Sequence, residues 1–368
     1  MYGLKGRVFC PLLTAAVIAL TPGVAPAAGS ERVATVMTYN VENLFDTSDN
    51  PLNEGDNTYL PRSLKGTPEH IALCERTGGT PFQQRECREL DWSEEVLAAK
   101  VRNLAAVILG FNGGQGPDIL MLQEVENQAV LDRLRGALGG AHVYPTLVNT
   151  ESSPGRGINV ALLSKLPLVG PAVSHPVPFE GDDQSACGAT RDILEVSLTL
   201  NDRATLTLFG VHFPSGANPT RCRMLASERL NEVAGGRPES AMLIALGDTN
   251  ISCSSEDQRV IADVLRERWV VPDEVNKGCR APGSNFFLPE GQWSFLDLIL
   301  TGRSLTLSAR SGAPWFADFG SFRTVISAPE VQIETDAQGR VRPKRFDARE
   351  GSGSSDHWPV AIDLVRRR

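Results

Sequence analysis

The chain has 368 residues, of which 41% are hydrophobic, and it carries a formal net charge of −8. This length allows one large α/β domain or two small ones. A protein that coats nucleic acid without sequence preference is basic, so the negative charge argues against that class. An enzyme that binds phosphate through a metal ion and a few local cations remains compatible with it.

The first residues predict a secretory signal peptide over residues 1–28. Lys5 and Arg7 precede an apolar run over residues 8–20, and Ala25-Pro26-Ala27 offers the small residues of a cleavage site. The apolar run is shorter than the ~20 residues that a membrane span needs, which disfavours the alternative of an anchoring helix. No later stretch is predicted to span a membrane, so we expect a secreted or periplasmic protein.

Six of the seven cysteines lie after the predicted signal peptide. An even number of cysteines in an exported chain predicts disulfides, but six cysteines allow fifteen pairings and the sequence alone does not choose. Proximity along the chain suggests Cys74–Cys87 and Cys253–Cys279, which leaves Cys187–Cys222. A zinc site is the competing interpretation, and the absence of C-x-x-C spacing weakens it.

Short apolar runs rich in β-branched residues predict strands along the mature domain, residues 29–368. The predicted strands cover residues 33–41, 118–125, 158–164, 193–200, 204–212, 241–247, 295–301 and 358–365. Apolar residues at helical spacing predict helices, which cover residues 93–109, 127–138 and 222–233. The first of these helices has a start signal, because Ser93 is followed by two glutamates.

Two stretches between these elements are predicted to be insertions. Residues 47–92 are polar, rich in Pro and Gly, and contain two cysteines, which favours a disulfide-bonded surface loop over a separate domain. Residues 311–353 contain a basic run at residues 340–345 and end in a flexible Gly-Ser segment. The basic run could contact a nucleic-acid backbone or form a solvated turn, and the sequence leaves both open.

Polar residues of catalytic type follow several of the predicted strands. They are Asn40, Glu124, His212, Asp248 with Asn250, Asp297, and the pair Asp356-His357. Any one of them alone is more often a helix cap or a structural hydrogen-bonding group than a catalyst. Because α/β proteins build their sites at strand ends, six such positions in one chain indicate a common active site.

The residue types at these positions suit the hydrolysis of phosphate esters. Carboxylates hold a hard cation such as Mg²⁺, and two histidines can divide base and acid duty near neutral pH. An Asp behind a His fixes its tautomer and stabilises its charged form. The chain has no G-x-x-x-x-G-K-[ST] loop and no G-x-S-x-G elbow, which disfavours P-loop enzymes and serine hydrolases.

The order of these motifs resembles the endonuclease/exonuclease/phosphatase superfamily (DNase I-like), and above all its secreted bacterial branch. The resemblance extends from Met37 to Val365, and its most specific pair is Gly-Asp-Thr-Asn at 247–250 with Ser-Asp-His-Trp-Pro-Val at 355–360. It implies an α/β (α+β) fold. That fold is a four-layer αββα sandwich, in which two packed, mostly antiparallel sheets have helices outside.

The resemblance also implies which residues bind metal and phosphate. Glu124 is expected to be the main metal ligand, with Asn40 at the metal or the phosphate and Asp356 as a second metal or phosphate contact. The expected ion is Mg²⁺ or Mn²⁺, with Ca²⁺ as a further candidate. Arg191 and Arg156 are candidates for phosphate contacts, because guanidinium geometry suits phosphate oxygens.

The remaining roles implied by the resemblance concern proton transfer. His357 is expected to act as general base, oriented by Asp297, and His212 as general acid for the leaving oxygen. The expected role of Asp248 and Asn250 is to orient the attacking water and bind phosphate. Glu151 is a candidate to orient His212, as an upstream acid does in the DNase branch.

We therefore expect an exported, metal-dependent phosphodiesterase, with a nuclease as the leading hypothesis. The alternatives are an exported sphingomyelinase-like or small-molecule phosphodiesterase or phosphatase and, in another class, an inactive binding module with the same fold. Loops decide the substrate in this superfamily, because its catalytic residues are largely shared. The sequence indicates no obligate protein partner, and we expect a monomer.

Overall fold

The computed structural model describes residues 30–50, 53–150, 157–200, 203–306 and 315–367. The predicted signal peptide, Glu151 and Arg156 lie outside these residues. The strands of the described part are β1 (Ser30–Leu44), β2 (Ile119–Val125), β3 (Thr146–Asn149), β4 (Asn159–Ser164), β5 (Val173–His175), β6 (Ile193–Thr199), β7 (Thr205–His212), β8 (Met242–Asp248), β9 (Trp269–Val270), β10 (Asn285–Phe287), β11 (Gln292–Ser294), β12 (Asp297–Gly302), β13 (Trp315–Thr324), β14 (Ile333–Thr335), β15 (Val341–Pro343) and β16 (Val360–Arg367). The helices are α1 (Pro68–Thr77), α2 (Pro81–Glu89), α3 (Glu94–Gly110), α4 (Gln128–Ala137), α5 (Asp182–Cys187), α6 (Thr220–Gly235), α7 (Ser255–Asp263) and α8 (Pro329–Gln332).

Within the described residues, twelve strands form two six-stranded sheets. The first sheet has the order β13–β16–β1–β2–β4–β3, and the second has the order β5–β6–β7–β8–β12–β9. Each sheet has one parallel pair near its middle, β1 with β2 and β7 with β8, and its other neighbours are antiparallel. The remaining strands pair as two small hairpins, β10–β11 and β14–β15.

The two sheets pack face to face. Val36 and Leu162 of the first sheet share one buried apolar cluster with Leu208 and Ile299 of the second. The sheets approach closely at Gly210, where a Cβ atom would lie 2.5 Å from the sulfur of Met121. Because real Cβ atoms do not approach that closely, a larger residue at this position would force the sheets apart.

Helices cover the outer faces of both sheets. Helices α3 and α4 contribute to a second buried cluster on the first sheet, and α6 and α7 contribute to a third on the second sheet. The layers are therefore helices, sheet, sheet and helices, which confirms the predicted sandwich. Each large apolar side chain that is fully buried in these clusters contributes about 1.5–3 kcal/mol to the stability of the fold.

The central helix α3 shows why its sequence folds as predicted. The Ser93 side chain accepts a hydrogen bond from the amide of Val96 and caps the first turn. Leu97, Leu104 and Ile108 line one face at helical spacing and are fully buried. The segment Glu94–Gly114 is long and apolar enough to cross a membrane by length and composition, but half of it is buried, as in the core helix of a folded domain.

The predicted surface loop over residues 47–92 has the expected Cys74–Cys87 disulfide, but it also has helices that were not predicted. It contains α1 and α2, whose caps Thr67 and Thr80 are each followed by proline at the first helical position. This Thr-Pro pattern is a helix start signal that was readable in the sequence. The segment is anchored on the domain by Tyr59, whose ring stacks on Phe45 at 4.2 Å.

The segment 311–353 is likewise only partly an insertion. Its strand β13 pairs with β16 at the edge of the first sheet, so this strand belongs to the sandwich. Helix α8 and the β14–β15 hairpin follow before the Asp356-His357 pair. The structure also pairs the six cysteines as the sequence suggested, Cys74 with Cys87, Cys187 with Cys222 and Cys253 with Cys279.

Candidate active site

The polar residues that follow the predicted strands meet at one end of the sandwich. Strand register explains this, because His212 and Asp248 are paired neighbours on β7 and β8, and Asp248 also pairs with Asp297 of β12. On the facing sheet, Asn40 of β1 lies beside Gln123 of β2, one residue before Glu124.

The side chain of Asn40 links the two sheets. Its amide nitrogen lies 2.9 Å from Asp248 Oδ2 and 3.3 Å from Glu124 Oε1, and it donates to both. The amide oxygen accepts from the backbone N–H of Glu42 at 3.0 Å. Asn40 therefore holds two carboxylates at a fixed separation, and its amide nitrogen faces them.

Glu124 adopts a left-handed backbone conformation, with φ of 66°, and interrupts the regular register of β2 between Gln123 and Val125. Non-glycine residues rarely adopt this conformation, and the cases that occur are concentrated at functional sites. Its second carboxylate oxygen accepts from the backbone N–H of Asn43 at 2.9 Å. The bulge thus turns a carboxylate out of the strand and two amide groups orient it.

His357 and Asp297 form a buried pair. His357 Nδ1 lies 2.6 Å from Asp297 Oδ2, which leaves Nε2 to face Asp248 Oδ2 at 4.0 Å and Asp356 Oδ1 at 3.9 Å. Burial alone lowers the pKa of His357, but the charge and hydrogen bond of Asp297 outweigh it and raise the pKa well above its usual value. The arrangement fixes the imidazole and stabilises its protonated form.

His212 lies on the opposite side of Asp248. Its Nε2 atom is 3.6 Å from Asp248 Oδ2 and 3.9 Å from Glu124 Oε1, and the side chain is buried. This closeness depends on Gly247, which has φ of 143° and whose added Cβ would lie 2.0 Å from the carbonyl oxygen of Val211. Only glycine lets the two strands approach in this way.

Asp248 is held between the two histidines. Burial, reinforced by the nearby Asp297 and opposed by His357 and by hydrogen bonds, raises the pKa of Asp248 to about 7. Its other oxygen accepts from the backbone N–H of Asn250 at 2.8 Å, and Asn250 is itself left-handed with φ of 52°. The Asn250 amide nitrogen donates to the carbonyl of Phe213 at 3.1 Å, which orients that side chain.

A group of charged residues behind the motif 356–357 was not assigned from the sequence. Glu42 is buried, accepts from Arg345 Nε at 2.6 Å, and accepts from the backbone N–H groups of Phe346 and Asp356 at 3.2 and 3.1 Å. Burial, with the nearby Asp356, raises the pKa of Glu42 to about 7. One carboxylate therefore connects the end of β1 to the segment that precedes β16.

Lys100 completes this group from α3. It is fully buried, its ammonium donates to the carbonyl of Ser354 at 2.7 Å, and it lies 5.0 Å from the centre of the Phe346 ring. Burial lowers the pKa of Lys100 to about 8, although Glu42 opposes that shift. The single lysine of an otherwise apolar helix face was the available sequence signal for Lys100, while Arg345 was noted only as part of the basic run at 340–345 and not as a partner of Glu42.

Two serine contacts fix the motif next to β1. Ser355 Oγ donates to the carbonyl of Asn40 at 2.7 Å and accepts from the backbone N–H of His357 at 3.0 Å. The hydroxyl of Tyr39 donates to Ser354 Oγ at 3.2 Å. The catalytic histidine candidate is therefore held by backbone and side-chain hydrogen bonds to the strand that carries Asn40.

The donor chemistry of the site suits a hard divalent cation. Glu42, Glu124, Asp248, Asp297 and Asp356 supply five carboxylates, and four of them are buried or nearly so. Two of the residues predicted to bind the metal carry carboxylates, Glu124 and Asp356. Their side chains are 13% and 34% exposed. Carboxylate oxygens are the ligands that Mg²⁺ and Ca²⁺ prefer, so the residues fit such an ion.

The other predicted contacts are placed as follows. Arg191 lies two residues before β6, and because Leu194 pairs with Gly210, it lies at the sheet end that carries His212. In the basic run at 340–345, by contrast, each arginine has an acidic partner. Arg340 is paired with Asp336, Arg342 with Glu334 and Arg345 with Glu42. The described structure thus favours a folded, internally paired segment there over a free basic strip.

Comparison with known proteins gives a match over most of the chain. The model of a family described as the endonuclease/exonuclease/phosphatase family matches residues 37–357. A search among curated proteins finds no match.

Solved structures match in fold. A family protein from Bacteroides thetaiotaomicron has a TM-score of 0.51 at 14% identity, over 92% of this chain and 98% of its own. TDP2 from D. rerio, complexed with a single strand DNA product, has a TM-score of 0.50 at 18% identity, over 73% and 92% of the two chains. A protein of the same family from Beutenbergia cavernae has a TM-score of 0.50 at 15% identity, over 91% and 72%.

Proposed function

This chain belongs to the endonuclease/exonuclease/phosphatase family and is a phosphoester hydrolase, and from that premise we propose that it is an exported nuclease that cleaves phosphodiester bonds. One observation carries the proposal. His212 Nε2 and His357 Nε2 flank the same oxygen of Asp248, at 3.6 and 4.0 Å. Two imidazoles on either side of a carboxylate can serve the two ends of an in-line displacement.

We assign the base to His357. Its Nδ1 is engaged by Asp297, so its Nε2 faces the space beside Asp248, where the attacking water would lie. In the reaction, His357 accepts a proton from the water as the new P–O bond forms. Asp297 stabilises the resulting imidazolium, and Asp248 orients the water.

We assign the acid to His212. As the P–O bond to the leaving group breaks, His212 donates its Nε2 proton to the departing oxygen. Its Nε2 atom lies 3.9 Å from Glu124 Oε1 and 3.6 Å from Asp248 Oδ2, so this nitrogen faces the proposed reaction site. After these steps His357 is protonated and His212 is neutral. Before the next turnover His357 releases its proton to solvent and His212 takes one up.

Glu124 and Asp356 are proposed to hold the divalent cation, with Mg²⁺ or Mn²⁺ expected. Family members generally use divalent ions, and a bound cation supplies neutralisation of charge that develops on the phosphoryl oxygens. Asn40 is proposed to position the carboxylates of Glu124 and Asp248. Arg191, Arg156 and Asn250 are proposed phosphate contacts, and Glu151 remains a candidate to orient His212.

We propose nucleic acid as the substrate for two reasons. The two histidines and the carboxylates of the site suit the hydrolysis of a phosphodiester, and the predicted export suits a secreted nuclease. The fold neighbour from D. rerio was solved with a DNA product, which shows that this sandwich accommodates a single strand in that protein. Three disulfides fit an extracytoplasmic environment, and this supports the proposed export.

A lipid phosphodiester is a second candidate, supported by one feature beside the site. The β10–β11 hairpin contacts the catalytic motif through Asn285, which bridges to His357 and donates to the carbonyl of Asp356 at 3.0 Å. Phe287 and Leu288, at the end of β10 and in the turn that follows it, are 52% and 48% exposed. An exposed apolar tip next to a hydrolytic site suits a membrane substrate as well as a stacked base.

A substrate panel tests the proposal. The purified mature chain is assayed with Mg²⁺ or Mn²⁺ on plasmid DNA, RNA, sphingomyelin vesicles and bis-p-nitrophenyl phosphate, beside a His357→Ala variant. We expect wild-type cleavage of nucleic acid and a loss of about 10²–10⁴ in the variant. Cleavage of sphingomyelin or the small diester alone would reject the nuclease assignment. Cleavage of none of these substrates would reject the catalytic assignment as well.

A further inference from the structure

The guanidinium of Arg345 lies at the edge of the candidate active site. Its Nη2 atom is 3.9 Å from Asp356 Oδ2, and the other oxygen of that carboxylate is 3.9 Å from His357 Nε2. The side chain of Arg345 is 68% exposed, whereas those of Asp356 and His357 are 34% and 7% exposed. One carboxylate therefore separates an exposed cation from the proposed base.

The backbone of Arg345 is held in place by the segment that leads into β16. The N–H of Ser354 donates to the carbonyl of Lys344 at 2.9 Å, and Gly353 packs directly against the carbonyl of Arg345. Gly353 has φ of 81°, and a Cβ atom there would collide with that carbonyl, so the position requires glycine. The two ends of this loop are thus fixed next to each other, and the backbone of Arg345 is fixed beside the site.

The side chain of Arg345 is oriented by a buried carboxylate. Its Nε atom donates to Glu42 Oε1 at 2.6 Å, and Glu42 is itself held by the backbone N–H groups of Phe346 and Asp356. This bond uses one of the five N–H donors of a guanidinium, and the other four belong to the two Nη groups. Among the residues that the structure describes, neither Nη group makes a hydrogen bond, because the nearest carboxylate oxygen is 3.9 Å away. The guanidinium is therefore fixed through Nε and presents its remaining donors at the surface.

The two other arginines of the basic run at 340–345 have partners of a different kind. Arg342 is bound by Glu334 through both Nε and Nη2, at 3.2 and 3.0 Å, and its side chain is only 17% exposed. Arg340 pairs with Asp336 in the turn that joins β14 to β15. Both are paired within one hairpin, whereas Arg345 is paired with a residue beside the catalytic histidine candidate. An exposed guanidinium with unused donors is well suited to phosphate oxygens.

We propose that Arg345 binds a phosphate group of the substrate next to the one that is cleaved. The inference rests on the proposed function, since it requires a substrate with more than one phosphate, as a nucleic-acid strand has. Asp356 lies between Arg345 and His357, so the guanidinium is beside the reacting phosphate and not on it. The chain has a net charge of −8, and the binding of a polyanion therefore depends on local cations of this kind.

Binding of a fluorescein-labelled single-stranded oligodeoxynucleotide tests the contact without using cleavage. The parent chain carries His357→Ala so that the oligonucleotide stays intact, and fluorescence anisotropy is measured with Mg²⁺ at NaCl concentrations between about 50 and 200 mM. We expect Arg345→Gln in this background to raise Kd at least about tenfold, because a hydrogen bond between charged groups is lost. The dependence of log Kd on log[NaCl] should become shallower by about 0.7, the value for one phosphate contact on a single strand.

Two further variants control for charge and for folding. Arg342→Gln removes the same charge from a paired arginine of the same run, and it should keep the affinity and the salt dependence of the parent. Arg345→Lys keeps a charge next to Glu42 but lacks the guanidinium fork, so it should keep the salt dependence and bind more weakly than the parent. Thermal unfolding shows which variants fold. The contact is overturned if folded Arg345→Gln binds like Arg342→Gln or, should Arg345→Gln not fold, if Arg345→Lys binds as tightly as the parent.

Hydrolysis of two substrates separates a phosphate contact from a general effect on the site. With His357 intact, Arg345→Gln should raise KM for the oligonucleotide about tenfold and change kcat/KM for bis-p-nitrophenyl phosphate by less than about twofold, because that diester has a single phosphate. Equal losses on both substrates would overturn the contact. A wild-type chain that binds nucleic acid without cleaving it would reject the nuclease function and leave the contact in place, whereas a parent that binds no oligonucleotide would reject both.

Discussion

His357 Nδ1 lies 2.6 Å from Asp297 Oδ2, although 60 residues separate them in the sequence. The pair is buried, and it joins the segment that leads into β16 of the first sheet to the first residue of β12 in the second. A single short contact between an imidazole and a carboxylate therefore couples the base candidate to the relative position of the two sheets.

Replacing Asp297 should change both the rate and its pH dependence. Asp297→Asn removes the charge that raises the pKa of His357, so that pKa should fall. A base must be neutral to accept a proton, and the ascending limb of the kcat/KM profile should accordingly move to lower pH. We expect the plateau to fall by about 10²–10⁴, because the imidazole loses its orienting partner.

The measurement is a pH–rate profile of nucleic-acid hydrolysis between acid and mildly alkaline pH, for wild type and Asp297→Asn. Asp263→Asn, an exposed acid at the end of α7, is the matched control and should leave the profile unchanged. If the limb stays in place while the rate falls, Asp297 has a structural role only.

The role of His212 should depend on the leaving group. A nucleoside oxygen is a poor leaving group and needs a proton, whereas p-nitrophenolate leaves without one. We expect His212→Ala to lower kcat on DNA by about 10²–10⁴ and on bis-p-nitrophenyl phosphate by less than about tenfold. Parallel initial-rate assays of the two substrates measure the difference. Equal losses on both substrates would argue against an acid role.

Glu42 should be important for stability as well as for the site. Its removal deprives the fully buried Lys100 of the carboxylate whose charge acts on it most strongly, and an uncompensated buried charge costs about 3–5 kcal/mol. Urea unfolding of Glu42→Ala should show a loss in that range. Glu54→Ala removes an exposed ion pair with Arg76 and should cost no more than about 1 kcal/mol. A loss for Glu42→Ala as small as that of the control would mean that the buried charges are compensated in another way.

The Cys253–Cys279 disulfide should stabilise the loops next to Asp248. The two cysteines are 26 residues apart, and closing a loop of that length contributes about 3.5 kcal/mol through the unfolded chain. We expect the double Cys→Ser variant to unfold at correspondingly lower urea concentration. Free-thiol titration of the unfolded wild type before and after reduction checks that the bond is present.

The strands that carry site residues were predictable because each one gives a local signal. A run such as Ile119–Leu122 is apolar and ends in an acid, and it appears as β2 with Glu124 at a bulge. The short strands β3 and β5 were missed, because three or four residues give no clear alternation. The ten-residue edge strand β13 was missed because it lies in the segment predicted to be an insertion. The Thr-Pro pairs that begin α1 and α2 were visible in the sequence, but the polarity of the segment led to the prediction of a loop.

The partnerships within the site could not be predicted in the same way. Glu42 and Arg345 are 303 residues apart, and neither lies in a pattern that indicates the other. The basic run at 340–345 illustrates this, since its charge suggested nucleic acid while its arginines are paired with local acids and with Glu42. Charge along a sequence shows what a segment can bind, but only the fold shows what it already binds.

The position of β16 has a consequence for when activity can begin. This strand lies between β13 and β1, and the segment that precedes it places His357 against Asn40 through Ser355. A nascent or shortened chain that stops before this segment has an unpaired edge on β1 and no base. If His357 is the base, as we propose, hydrolysis is expected to start only after β16 is inserted, and a chain that is exported unfolded would be inert in the compartment where it is made.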